Sequence, residues 1–244
     1  MVRVARLCTE MLGTFVLAEG VCVSEGNIAV VWAVLWGAII ATGLVSGAQF
    51  NPAITTAVLI MRAADRKLTK KDLLEHFVYY LMHFVGAFLG ALVSWAIRMD
   101  TWEMKVGAST SQGEAYLAEV FYTSVLILTA LSGAEMKENN WLATLAVAVS
   151  VYLAGKTVGN ISGACLNPAI GLGINAAAAL HQQLTRPEYQ WIYVVGPLTA
   201  SVLSAALFRY IIRPEIPHYQ WRMTLSVPDS KVRSSQFESP LTGK

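Results

Sequence analysis

Charge is what this 244-residue chain lacks most: Asp, Glu, Lys and Arg together make up 14% of it, against ~25% in a usual soluble domain. So few charges cannot cover a surface that is wet on all sides. The net charge of +2 offers no basic stripe for nucleic acid. Cysteine is scarce too. Cys8, Cys22 and Cys165 stand in no C-x-x-C spacing and near no His cluster, so they read as small apolar side chains rather than disulfide or metal ligands. No Ser-His-Asp set, metal cluster or phosphate-cradling glycine loop can be placed together. This argues against an enzyme and calls for no cofactor and no metal.

Apolar length is abundant. Hydrophobic residues make up 55% of the chain, and the mean hydropathy is +0.50. About 20 apolar residues cross a bilayer as helix, and six stretches approach that: 4–23, 28–46, 72–97, 115–134, 141–159 and 190–212. Two shorter stretches, 51–61 and 167–180, each begin with Asn-Pro-Ala and suit re-entrant half-helices. Glu10 interrupts the first apolar run, which therefore reads as a retained span rather than a cleaved leader. The expectation is an all-α integral membrane protein with the lipid bilayer as its solvent.

Cations set the expected orientation. Arg3 and Arg6 precede the first span; Arg62, Arg66, Lys67, Lys70 and Lys71 precede the third; Arg209, Arg213 and Arg222 follow the last. The opposite connections hold only Arg98, Lys105 and Arg186, and Lys137 decides nothing. The positive-inside rule then places both termini in the cytoplasm. From 214 to 244 the composition turns polar and proline-rich, as in a cytoplasmic tail without its own core. There Ser234 and Ser235 follow Arg233, as a kinase site or merely a solvated stretch.

The chain repeats itself. Ser46-Gly47-Ala48-Gln49-Phe50-Asn51-Pro52-Ala53-Ile54 is matched by Ser162-Gly163-Ala164-Cys165-Leu166-Asn167-Pro168-Ala169-Ile170. Glu10 has its counterpart in Glu119, and Val85-Gly86-Ala87 in Val195-Gly196-Pro197. Repeat one covers about 1–98 and repeat two about 115–213, so one domain spans 1–213. With three spans per repeat the halves are inverted copies, a transport architecture with its site near the midplane.

The repeated motif has a physical reading. Asn is a favoured N-cap and Pro a favoured first helical residue, so each motif starts a short helix. Gly47 and Gly163 allow the tight, extended backbone that must reach the membrane centre. Non-helical backbone at that depth must be buried or face a water-filled cavity. Inversion brings the two N-termini together, each presenting roughly half a positive charge. The Asn51 and Asn167 amides there donate to acceptor oxygens of neutral molecules, while cations meet a barrier.

With both motifs, the paired Glu residues and the Gly-rich third and sixth spans, residues ~4–213 resemble the aquaporin and aquaglyceroporin family. The resemblance implies six transmembrane helices with two half-helices, a homotetramer with one pore per subunit, and passage of water and small uncharged solutes. It makes Asn51, Pro52, Ala53, Asn167, Pro168 and Ala169 the pore midplane, and Glu10 and Glu119 buried braces for the loops. It places an outer filter at Val31, Gly155, Ala164 and Ile170. Water-selective relatives typically have an aromatic, a His, a small residue and an Arg there; glycerol-conducting relatives open the His position to Gly and keep the Arg.

Gly155 is glycerol-like, but Ile170 stands where the Arg belongs, so the filter is expected to be wide, apolar and uncharged. Lys156, beside Gly155, has two readings: a compensating cation or a side chain snorkelling to the interface. Gly171, Asn175 and Gln49 depart from family habit, whereas Tyr193 follows the water type. His76 and His83 read as helix-packing residues, and Cys165 as a mercurial site near the lumen. The sequon Asn160-Ile161-Ser162 lies too near the membrane to be glycosylated. The expected function is a passive channel for water and solutes such as glycerol or urea. The rival readings are a non-conducting structural member, because an aliphatic ring can dewet, and a secondary transporter.

Overall fold

The structure is a computed structural model that describes residues 3–136, 140–182 and 184–216. Lys137, Arg222, Ser234, Ser235 and the tail beyond Ile216 lie outside the described residues. Within them all regular structure is helical. The order is α1 (Val4–Val23), α2 (Ile28–Ser46), α3 (Pro52–Ala64), α4 (Lys70–Arg98), α5 (Gln112–Glu135), α6 (Asn140–Val158), α7 (Pro168–Ala178) and α8 (Ile192–Leu207).

Local chemistry fixes the starts. Thr69 with Asp72, and Ser111 with Glu114, form capping boxes at the heads of α4 and α5. Asn51 and Asn167 cap α3 and α7, each followed by Pro in the first turn. The last expected span is less regular than its hydropathy suggests. α8 ends at Leu207 and continues as a π-helical turn, Phe208–Ile212, then a 3₁₀ turn, Arg213–Glu215.

Five helical stretches are long and apolar enough to cross a membrane. α1 is 20 residues long but carries Arg6, Glu10 and Glu19. Two of these charges have partners: Glu10 is buried with its hydrogen-bond donors, and Arg6, at the helix end, pairs with Glu75 at 2.7 Å. Large apolar side chains such as Leu44, Leu117, Phe121 and Val202 stand fully outward, as a lipid-facing surface requires.

Packing repeats between the halves. α1 lies on α4, and α5 on α8. Backbone closeness explains the first pair: a Cβ on Gly86 would stand 2.4 Å from the Met11 carbonyl oxygen, and one on Gly90 2.3 Å from that of Phe15. Each half-helix docks on the last helix of the other half, α3 on α8 and α7 on α4. Ser201 Oγ donates to the Ala53 carbonyl at 2.7 Å across the first of these contacts. This exchange draws the two Asn-Pro-Ala motifs into one place.

Candidate functional site

The two motif loops share one backbone course. Gly47, Ala48 and Phe50 have φ of 96°, 46° and 49°; Gly163, Ala164 and Leu166 have 92°, 49° and 56°. The extended approach anticipated at the glycines is therefore replaced by left-handed backbone, adopted by two non-glycine residues in each loop as well. Left-handed conformation costs a non-glycine residue roughly 1–2 kcal/mol, so the surroundings must enforce it.

Two buried carboxylates sit where that enforcement is needed. Glu10 accepts from the Gln49 N–H at 3.0 Å and the Phe50 N–H at 2.8 Å. Glu119 accepts from the Cys165 N–H at 2.9 Å, the Leu166 N–H at 2.7 Å and Ser162 Oγ at 2.7 Å. Both are fully buried. Their donors are the loop amides that left-handed turns leave pointing inward.

The loops then exchange bonds. Asn51 Nδ2 donates to the Leu166 carbonyl, and Asn167 Nδ2 to the Phe50 carbonyl, each at 2.9 Å. Their Oδ1 atoms cap the half-helices, accepting from the Ala53 N–H at 2.8 Å and the Ala169 N–H at 3.0 Å. An amide nitrogen carries two hydrogens. One from each Asn is used across the dyad, leaving the second for a guest.

A cavity of about 580 Å³ runs from the end of the bundle opposite Val4 and the last turn of α8 down to Asn51 and Asn167. Val31, Gly155, Ala164 and Ile170 all line it, as does Cys165. Its wall also holds Leu35, Leu126 and Val151, so aliphatic side chains surround the Ile170 level, while polar and charged groups such as Gln49, Lys105 and Lys156 share the rest of the lining. Gly155 opens less space than its identity suggests. A Cβ there would meet Ile28 Cγ1 at 2.4 Å, so the Ile28 side chain already fills the gap and presents another aliphatic group to the cavity. Ile28 escaped sequence reasoning because the occupant of a glycine's space comes from a different helix.

Other residues gain roles that composition did not reveal. His83 Nε2 lies 2.8 Å from Glu10 Oε2, both fully buried, so His83 contributes to the carboxylate cluster beyond helix packing. His76 Nδ1 contacts the Asp72 carbonyl at 2.7 Å. Gln49 accepts from Thr55 Oγ1 at 2.6 Å. Tyr193 donates its hydroxyl to the Ser162 carbonyl at 2.9 Å. Asn175 is the most informative omission. Its Oδ1 accepts from the Met104 N–H and its Nδ2 donates to the Met104 carbonyl, both at 2.7 Å. It thereby holds the α4–α5 connection over the cavity mouth. Lys156 lines that mouth with its ammonium 5.8 Å from the Tyr152 ring centroid.

The major intrinsic protein family model matches residues 8–208. Aquaporin-1 of Rhizophagus irregularis is 32% identical over 177 residues, covering 68% of this chain and 58% of that protein's own length. The lens fiber major intrinsic protein of Bos taurus is 27% identical over 214 residues, 84% of this chain and 75% of that one. Aquaporin PIP2-5 of Zea mays is 27% identical over 210 residues, 80% and 70% respectively. Among solved structures, the aquaglyceroporin from Plasmodium falciparum shares the fold with a TM-score of 0.73 at 22% identity, over 88% of this chain and 98% of that one.

Proposed function

Because this chain belongs to the major intrinsic protein family, we propose that it is a passive membrane channel for water and small uncharged solutes of the glycerol or urea kind. The carrying observation is the cavity itself: it reaches the paired Asn51 and Asn167 amides, and Ile170 lines it at the position where the family resemblance leads one to expect an Arg. In this reading residues up to about 213 form the channel. Asn51, Pro52 and Ala53 with Asn167, Pro168 and Ala169 make its midplane, Val31, Gly155, Ala164 and Ile170 its outer constriction, and Glu10 and Glu119 its loop braces.

The mechanism follows from fixed dipoles. A solute hydroxyl or water oxygen accepts the free hydrogen of each Asn amide, while both half-helices point their positive ends at it. No group needs to move, and nothing is consumed, so flux follows the gradient. A cation at the same point meets two positive dipole ends and loses its hydration.

Arg6, Arg62, Lys67, Arg209 and Arg213 crowd the end where the chain begins, which supports placing both termini in the cytoplasm. A tetramer, one pore per subunit, is part of the same proposal.

Stopped-flow swelling of proteoliposomes in sorbitol and in glycerol gradients tests it. Water and glycerol permeabilities both well above empty vesicles are expected. High water flux with glycerol at the empty-vesicle level would sink the wide-constriction reading. Absence of any flux would favour a dewetted, structural protein, for which the Val31, Ile28 and Ile170 wall supplies the motive.

A further inference from the structure

Four charged side chains line the outer part of the cavity: Glu25, Glu103, Lys105 and Lys156. Both carboxylates have partners, and those of Glu103 include an ion pair with Lys105 itself. Glu25 pairs with Arg98, and buried Glu103 accepts from the Thr185 N–H at 2.9 Å and from its hydroxyl. The two ammonium groups differ in how far they are neutralised. Lys105 lies 3.7 Å from Glu103 with 60% of its side chain exposed. Among the described residues exposed Lys156 makes no ion pair, and its ammonium lies 5.8 Å from the Tyr152 ring centroid.

Backbone architecture delivers Lys105 to the mouth. Met104 is clasped through both its N–H and its carbonyl by Asn175 of α7. The next carbonyl, that of Lys105, would stand 2.9 Å from a Cβ on Gly163. Only a glycine at the head of the second motif loop therefore lets this segment settle where it does. Lys156 arrives independently, one residue beyond Gly155 on α6.

We propose that Lys105 and Lys156 form the cation barrier of the outer mouth, supplying from the vestibule wall the positive charge that Ile170 leaves out of the constriction. The assignment rests on reading the cavity as a conduction path. A cation passing within ~7 Å of one ammonium is disfavoured about threefold at the dielectric of water and about fiftyfold at an effective value of 20. Neutral solutes feel neither. The two lysines thus set charge selectivity, and the aliphatic ring below them sets size.

Urea and guanidinium, nearly equal in shape and unequal in charge, separate these effects. Proteoliposomes carrying the full chain are given a urea gradient, read by light scattering, and a guanidinium gradient, read with a potential-sensitive dye. Wild type is expected to pass urea and hold guanidinium near the empty-vesicle level. In K105Q/K156Q the guanidinium-to-urea ratio should rise by about tenfold, within the range above. K105R/K156R should retain the wild-type ratio, and K156Q alone should show an intermediate rise if the double variant folds poorly. An unchanged ratio in both Gln variants, with urea flux intact, overturns the assignment. Wild-type vesicles that pass neither urea nor water overturn the channel reading and this assignment with it.

Discussion

Phe50 and Leu166 are bulky residues held in left-handed backbone, with φ of 49° and 56°. Their N–H groups are fastened to Glu10 and Glu119, which places the stabilisation of each loop in one buried carboxylate. Glu119→Gln keeps the shape but turns an acceptor for three donors into a group with only one acceptor oxygen. It should lower unfolding stability by about 3 kcal/mol, as for loss of charged buried hydrogen bonds. Thermal unfolding in detergent measures this, and a change near zero would show that the loop holds its shape unaided. Cys165, lining the cavity beside this carboxylate, should make flux sensitive to mercurials, and Cys165→Ser should abolish the sensitivity. Persistent inhibition in that variant would place the reactive thiol elsewhere. At this scale the sequence disclosed the motif residues, because caps and prolines act through neighbours in the chain. It did not disclose the roles of Ile28, His83 or Asn175, whose partners lie on other helices or, for Asn175, in the α4–α5 connection, and leave no local pattern.

At the scale of elements, hydropathy and the two motifs located α1 to α8 but not how closely they approach. Two short apolar runs beginning with Asn-Pro-Ala were legible as half-helices because each starts on an Asn cap followed by Pro. The docking of α3 on α8 and of α7 on α4 was not, since it depends on small residues meeting across the repeats, such as Gly173 against Ala87. The π-helical turn after Leu207 was equally hidden, for no proline or glycine marks it. The α1–α4 contact makes a sharp prediction. A Cβ on Gly90 would sit 2.3 Å from a backbone oxygen that no side-chain rotation can move. Gly90→Val should therefore force the helices apart and destabilise by about 3 kcal/mol, the upper end of common overpacking costs. Yield and melting temperature of the detergent-purified protein would report it, and a wild-type melting temperature would mean the interface slides freely.

Across the whole molecule, a charged cluster ties the half-helix end to the last span. Asp65 follows α3 and meets Arg209 and Arg213, each at 2.8 Å, while Arg213 also reaches Glu135 at 2.8 Å. The hydrogen bond from Arg213, with the nearby positive charges, holds the Asp65 carboxyl below its ordinary range. A depressed folded value means that its contribution is present above the unfolded value, about 3.9, and is lost as pH falls through the folded one. Wild type should accordingly melt above Asp65→Asn at pH 7, with the difference closing in strongly acidic buffer. A gap that persists unchanged at low pH would separate this cluster from proton linkage.

The account of the channel as a whole stands on Ile170, a buried residue in the cavity wall at the position where family resemblance leads one to expect a cation. Its most direct test is the ratio of glycerol to water permeability in proteoliposomes of wild type and Ile170→Arg, measured by stopped flow. Because Ile28 already fills the space that Gly155 would open, the larger, charged side chain should narrow the constriction and cut glycerol permeability by roughly tenfold, a barrier increment of about 1.4 kcal/mol, while water falls much less. A glycerol-to-water ratio that is the same in both proteins would contradict the placement of Ile170 at the constriction.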